Sequence, residues 1–481
     1  MSEVGSQLWK GYQGALGNGG HGGGLPFPGF DNANGQGGSF RPDAPELGPT
    51  FPVGGGEEGG EDYPDYPNNG NEAGYPDYPE NGGEPEQPNY DGDQDSGETD
   101  ENDMQPPPQD DNGKCHKWDW WSSEPAIGVN LGNWLIPEWS WMGHPDGISY
   151  NGDIYSQCAG RTAECTEEMR TNWEGYILES DLEYISNHGA NMVRIPVPFY
   201  AFIDTTGDEP YPTDEAQKME LTRVLNLLPA YGLHAVIDIH AVPGSQNGLE
   251  HSGRLGEAYF LTQTSQYWER ALNTVRAVTE YVQSLPEDTQ CMIAGIENAN
   301  EIKPENDDQI GTTKKFAVES YDIVNKAGFT LVTSDAFLGP AKWSDMFTQG
   351  ENVALDVHRY WAYSDPASVT DASIADDLAK FATEAAASHL PIFIGEYSNA
   401  RPYEQDVESL RYTYQAEQSL WVGALAGSAF WAYKGEQGND WNWRKAINDG
   451  VIDTDDYYNF DMTPEWLKQH IRDMFGERSR I

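Results

Sequence analysis

The chain has 481 residues and a formal net charge of −51, from 79 acidic against 28 basic side chains. That length holds two or three ordinary domains, or one large barrel with additional segments. That charge repels nucleic acid and anionic membrane surfaces and leaves uncharged or cationic ligands as partners.

Residues 1–114 differ from the rest of the chain. Gly, Pro, Asn, Asp and Glu dominate, and 23 acidic residues face 3 basic ones, about two-fifths of the net charge. Branched aliphatic residues are nearly absent, so too little apolar surface exists to offset ordering entropy, and a disordered tail is expected. A weak repeat, Tyr63-Pro-Asp-Tyr-Pro-Asn-Asn-Gly70 and Tyr75-Pro-Asp-Tyr-Pro-Glu-Asn-Gly82, favours extended polyproline-like backbone. A solvated spacer is the simplest reading of this tail, and a docking segment is the functional one. The N-terminus lacks the apolar core of a signal peptide, and no apolar run approaches the ~20 residues of a membrane span.

Order is expected from Cys115 to Ile481. Trp118, Trp120 and Trp121 precede a first strand at Ile127–Leu131. Further strands are placed at 191–197, 235–240, 292–296, 330–333, 353–357, 391–395 and 428–431. Helical patterns lie between them at 177–187, 216–228, 267–283, 312–325, 374–388 and 407–425. Eight strands with helical crossovers in ~350 residues point to an α/β fold, a (β/α)8 TIM barrel preceded by the acidic tail. A doubly wound sheet would want Gly-x-Gly-x-x-Gly after the first strand, which Gly128-Val-Asn-Leu-Gly132 does not supply. The four cysteines form no metal-ligand cluster. Cys158 and Cys165 share one loop-like stretch and are a candidate disulfide. Four free thiols fit the count nearly as well, so the redox compartment stays open.

A barrel of parallel strands places its chemistry at the strand C-termini. Here strand one runs into Glu138. Strand two carries Arg194, and strand three ends at His240. Strand four ends at Asn300 and Glu301, strand six at His358 and Tyr360, strand seven at Glu396 and strand eight at Trp431. Each alone has a plainer use: a histidine satisfied in place, an arginine in an ion pair, an asparagine capping a helix, a tryptophan filling the core. Together they argue for one mouth, because unpaired polar groups buried there cost several kcal/mol. Two carboxylates across such a mouth suit glycoside hydrolysis, one donating a proton and the other attacking the anomeric carbon. Arg194 and Tyr360 would keep Glu396 ionised, and Asn300 would hold the sugar 2-hydroxyl.

Seven stretches in this order resemble glycoside hydrolase family 5, and within it the fungal exo-β-1,3-glucanases. They are Gly128-Val-Asn-Leu-Gly-Asn-Trp-Leu-Ile-Pro-Glu138, Val193–Pro196, Ile237–His240 with Pro243-Gly-Ser-Gln-Asn-Gly248, Gly295–Glu301, Asp356–Tyr360, Ile394–Ser398 and Phe430–Lys434. The resemblance covers about residues 115–475. It implies a retaining double displacement with Glu301 as acid/base and Glu396 as nucleophile. Glu138, Arg194, His240, Asn300, His358, Tyr360 and Trp431 would line the sugar subsite. It implies a β-glucan or β-glucoside substrate, no cofactor, no metal, a monomer, and an extracellular or cell-wall location, with the cytoplasm as alternative. Ile302, Tyr397, Ala241-Val242 and Asn133 depart from the family pattern beside the subsites. β-1,6-glucanase or other β-glucosidase action therefore stays open. So do transglycosylation, for which Trp361 and Tyr363 are candidate acceptor platforms, and a non-catalytic carbohydrate-binding barrel.

Overall fold

The computed structural model describes residues 116–481 except 144–147, 149, 151, 208 and 455–456. The tail expected over 1–114 lies outside the described residues, as does Cys115. Eight strands close into a barrel in chain order. They are β1 (Ala126–Asn130), β2 (Met192–Pro198), β3 (His234–Ala241), β4 (Ile293–Glu297), β5 (Leu331–Ser334), β6 (Val353–Arg359), β7 (Ile392–Tyr397) and β8 (Gly427–Phe430). All neighbouring pairs are parallel, and β1 closes on β8. The expected (β/α)8 barrel forms.

Alternate residues of a strand point to opposite faces, and here the inward set changes character with height. The lowest layer is apolar: Met192, Val236, Ala294, Val332, Ala354, Phe393 and Ala429, with Trp118 and Trp120 packed on it. Trp120 lies edge-on to Phe393 at 5.1 Å, and its indole N–H donates to the Ala294 carbonyl at 2.8 Å. Two residues higher along β1, β2, β3 and β6 stand Asn130, Arg194, Asp238 and Asp356, all buried. Two higher again on β3 and β6 stand His240 and His358. The barrel is thus dry at one end and polar at the other.

Helices between strands form the outer ring, and side-chain caps set several of their starts. Asp214, Asn306, Thr370 and Asp406 each accept a hydrogen bond from a backbone N–H two or three residues on, which satisfies donors that a helix leaves unpaired. The Asn306 cap starts Asp307–Lys326 five residues ahead of the expected Thr312, because its first turn is polar and carries no apolar period. Among the helices not expected are Thr162–Tyr176 and Glu465–Phe475. The first corrects the loop-like reading of the cysteines. Cys158 ends the helix Ile154–Cys158, Cys165 lies in the first turn of the next helix, and a disulfide joins them across a Cα separation of 5.2 Å. Cys165, Met169 and Trp173 recur every fourth residue and are buried, a helical stripe obscured by its acidic neighbours. Cys291 is also disulfide-bonded.

Candidate active site

Arg194 is the centre of the polar layer. Its side chain is 0% exposed, so every donor must find an acceptor inside the barrel. Nη1 donates to Glu396 Oε1 at 2.9 Å and to Asn130 Oδ1 at 3.1 Å. Nε donates to Glu297 Oε2 at 3.0 Å, and Nη2 to Asn300 Oδ1 at 2.7 Å. Asp238 and Asp356 lie 3.1 and 3.4 Å from the same guanidinium. One positive group cannot neutralise all of these carboxyls. Burial accordingly pushes Glu297 well above the usual carboxylate range, against the pull of Arg194. Burial opposes the ionisation of Asp356 too, but His358 and Arg194 hold it below that range.

Above this layer the two strand-end glutamates meet. Glu396 on β7 receives Arg194 at Oε1 and the Tyr360 hydroxyl at Oε2, the latter at 2.8 Å. Glu301, just beyond β4, has φ of 45°, a left-handed conformation that costs a residue with a Cβ free energy. His358 lies between them, its Nδ1 2.8 Å from Glu301 Oε1 and 3.4 Å from Glu396 Oε2. One atom from each of Glu301, His358 and Glu396 lies within 4.8 Å of the other two. Burial disfavours an imidazolium, yet Glu396 and Asp356 raise the His358 pKa well above its ordinary value.

The remaining expected residues join the same mouth. Asn300 offers its Oδ1 to Arg194, while its buried Nδ2 has no partner among the described residues. His240 is oriented by Asp238, 2.6 Å from its Nδ1, and its Nε2 lies 3.8 Å from Glu138 Oε1. Trp431 stacks parallel to His240, with centroids 5.5 Å apart and planes at 7°. Glu138 is held by the preceding turn. Its N–H donates to Asn133 Oδ1 at 2.8 Å, and Asn133 sits at φ 59°, where glycine is at ease and asparagine is the best-tolerated substitute. That explains the departure at Asn133.

Residues 159–431 match the family model "Cellulase (glycosyl hydrolase family 5)". The chain belongs to glycosyl hydrolase family 5. It is a glycoside hydrolase. Glucan 1,3-beta-glucosidase 1 of Schizosaccharomyces pombe is 29% identical over 327 residues, covering 64% of this chain and 78% of that protein. A probable glucan 1,3-beta-glucosidase A of Aspergillus terreus is 26% identical over 387 residues, covering 69% of this chain and 88% of that protein. The crystal structure of rutinosidase from Aspergillus niger superposes with a TM-score of 0.62 at 20% identity, over 70% of this chain and 100% of that one. At that identity the likeness concerns the fold.

In this family 5 enzyme several site residues escaped the sequence reading. Asp238 and Asp356 precede His240 and His358 by two positions, so strand alternation alone puts each on its histidine's face. Glu297 ends β4, yet a bulge near Ala294 shifts it inward, which alternation does not foresee. His251 follows β3 in the turn Glu250–Ser252, and its Nε2 lies 3.0 Å from Glu301 Oε2. Nothing in the sequence marks it. Of the two candidate acceptor platforms, Trp361 is excluded. It is buried, its indole N–H donates to Glu417 Oε1 at 2.7 Å, and so it faces the helix layer. Tyr363 stays near the mouth, 5.8 Å from Tyr360 and 6.2 Å from Trp441.

Proposed function

We propose that this enzyme is a retaining β-glycosidase, an exo-acting glucan 1,3-β-glucosidase, with Glu396 as nucleophile and Glu301 as acid/base. The observation that carries the reading is the carboxylate pair at the C-terminal ends of separate strands, with oxygens no more than 4.8 Å apart. Retaining enzymes bring their two carboxyl groups within ~5–5.5 Å, while inverting enzymes hold them ~6.5–9.5 Å apart to admit a water. In the first half-reaction Glu396 attacks the anomeric carbon as Glu301 protonates the leaving oxygen. In the second, Glu301 takes a proton from water, which attacks the glycosyl-enzyme. Arg194 and Tyr360 aim the nucleophile. Asn300 Nδ2 serves the 2-hydroxyl, whose hydrogen bond strengthens in the transition state. Trp431 offers its face to the sugar ring, and His240 with Glu138 serves the outer hydroxyls.

The β-1,3 linkage and the exo action are supported by the names of the fungal relatives. A secreted or cell-wall location is supported by the Cys158–Cys165 disulfide, since such bonds persist in oxidising compartments. Product analysis on laminarin and on pustulan, with Glu396→Gln as control, tests the assignment. Glucose from laminarin, lost by about 10⁴-fold or more in the variant, is expected for a removed nucleophile. Release from pustulan alone would move the linkage to β-1,6. A fully active Glu396→Gln enzyme would overturn the mechanism.

A further inference from the structure

His251 is not needed for the two-carboxylate scheme, yet it touches the acid/base. Its Nε2 is 3.0 Å from Glu301 Oε2. The same Nε2 is 2.9 Å from Asn247 Nδ2. The Asn247 amide is fixed in place: Oδ1 accepts from the Leu249 N–H at 2.9 Å, and Nδ2 also donates to the Glu301 carbonyl at 3.2 Å. Nε2 therefore has a partner in both protonation states. As N–H it donates to Glu301, and as a lone pair it accepts from Asn247. A group that stores a proton reversibly needs that arrangement, because either form left unpaired in a confined site loses a hydrogen bond.

We propose that His251 is the proton partner of Glu301, so that the pair, rather than one carboxyl, is the general acid/base of this enzyme. The inference rests on the acid/base reading of Glu301 above. The Nε2–H bond of the imidazolium breaks as an Oε2–H bond forms on Glu301, leaving a neutral imidazole and a carboxylic acid. That acid proton passes to the glycosidic oxygen as the C1–O bond breaks and its electron pair leaves with the alcohol. In the second half-reaction the carboxylate takes a proton from water and can return it to Nε2. The groups facing His251 are Glu301 beyond β4, Glu138 beyond β1, His240 on β3 and Glu396 on β7, with Glu250 beside it in the chain. Burial disfavours its cation, but the hydrogen bond and charge of Glu301 outweigh this and raise the His251 pKa to about 9. Burial likewise opposes Glu301 ionisation, but hydrogen bonds from His251 and His358 hold it well below the usual range. Both shifts favour the ion pair, with the shared proton on the imidazole, over the neutral pair.

His251→Asn and His251→Gln keep polar contacts but cannot carry a proton. The test is the pH profile of kcat/KM for a β-1,3-linked glucose disaccharide and for 2,4-dinitrophenyl β-glucoside, whose leaving group needs no proton. With His251 the alkaline limb is expected to reach about pH 9. In both variants it should fall by about one pH unit or more, with about a ten-fold loss on the disaccharide and less than about three-fold on the dinitrophenyl glucoside. An unmoved limb, or equal losses on both substrates, overturns the proposal and leaves His251 a structural residue. Glu301→Gln runs alongside. If it retains full disaccharide activity, the acid/base reading itself fails. If it is inactive while the His251 limb stays put, only the proton-partner proposal fails.

Discussion

At the residue scale, the site is governed by how few positive groups serve how many carboxyls. Arg194 orders Glu396, Asn130, Glu297 and Asn300 through separate donors, a fork geometry that a lysine ammonium cannot reproduce. Because Asn300 spends its Oδ1 on Arg194, its Nδ2 is held in one direction and ready for a hydroxyl. Asn300→Ala is therefore expected to lower kcat/KM on a glucoside by about 10²-fold, the scale of a transition-state hydrogen bond to the 2-hydroxyl. The same change should matter little for the 2-deoxy-glucoside, measured in parallel. Equal losses on both substrates would place the effect in Arg194 or Glu301 instead.

At the element scale, each strand has a structural end and a chemical end. Gly395 on β7 shows how tightly they meet. A Cβ there would lie 2.1 Å from Asp356 Oδ2, and its N–H donates to Asp356 Oδ1 at 2.7 Å, so only glycine allows β6 and β7 to share that carboxylate. Trp120 belongs to the other end. Trp120→Ala is expected to cost about 3–5 kcal/mol in stability, measured by denaturant unfolding, with KM unchanged because the plug is remote from the mouth. The short helix Glu250–Ser252 makes a different prediction. Glu250 accepts from Ser140, but burial raises its pKa to about 7. Its folded-state pKa thus lies above its unfolded value, and the folded protein binds the extra proton between them. Stability from this group is present below about pH 4.5 and lost as pH rises through about 7. Glu250→Gln should flatten the fall of Tm across that window, and an unchanged slope would assign it elsewhere.

At the scale of the whole molecule, every residue placed in the site falls between Asn130 and Trp431 in the sequence, after the acidic segment 1–114. Removing residues 1–114 is expected to leave kcat on a soluble glucoside unchanged. A large drop would make that segment part of the catalytic unit. Among the described residues, no helix is long and apolar enough to cross a membrane.

The sequence by itself determined the architecture and the cast. Eight apolar strands with polar ends and helical patterns between them leave a parallel barrel as the arrangement that buries the strands on both faces. Such a barrel sends Glu301 and Glu396 to one mouth. Local periodicity carries that information, which is why strand positions were legible to within a few residues while the acidic helix Thr162–Tyr176 was not. Tertiary structure alone decided what depends on contacts between distant segments. It set the separation of the two carboxylates and the sharing of Arg194 among strands. It turned Glu297 inward through a bulge, and it brought His251 from the turn after β3 onto Glu301. A hydrogen bond between residues fifty positions apart leaves no period in the chain. It exists only once closure of the barrel has fixed both ends.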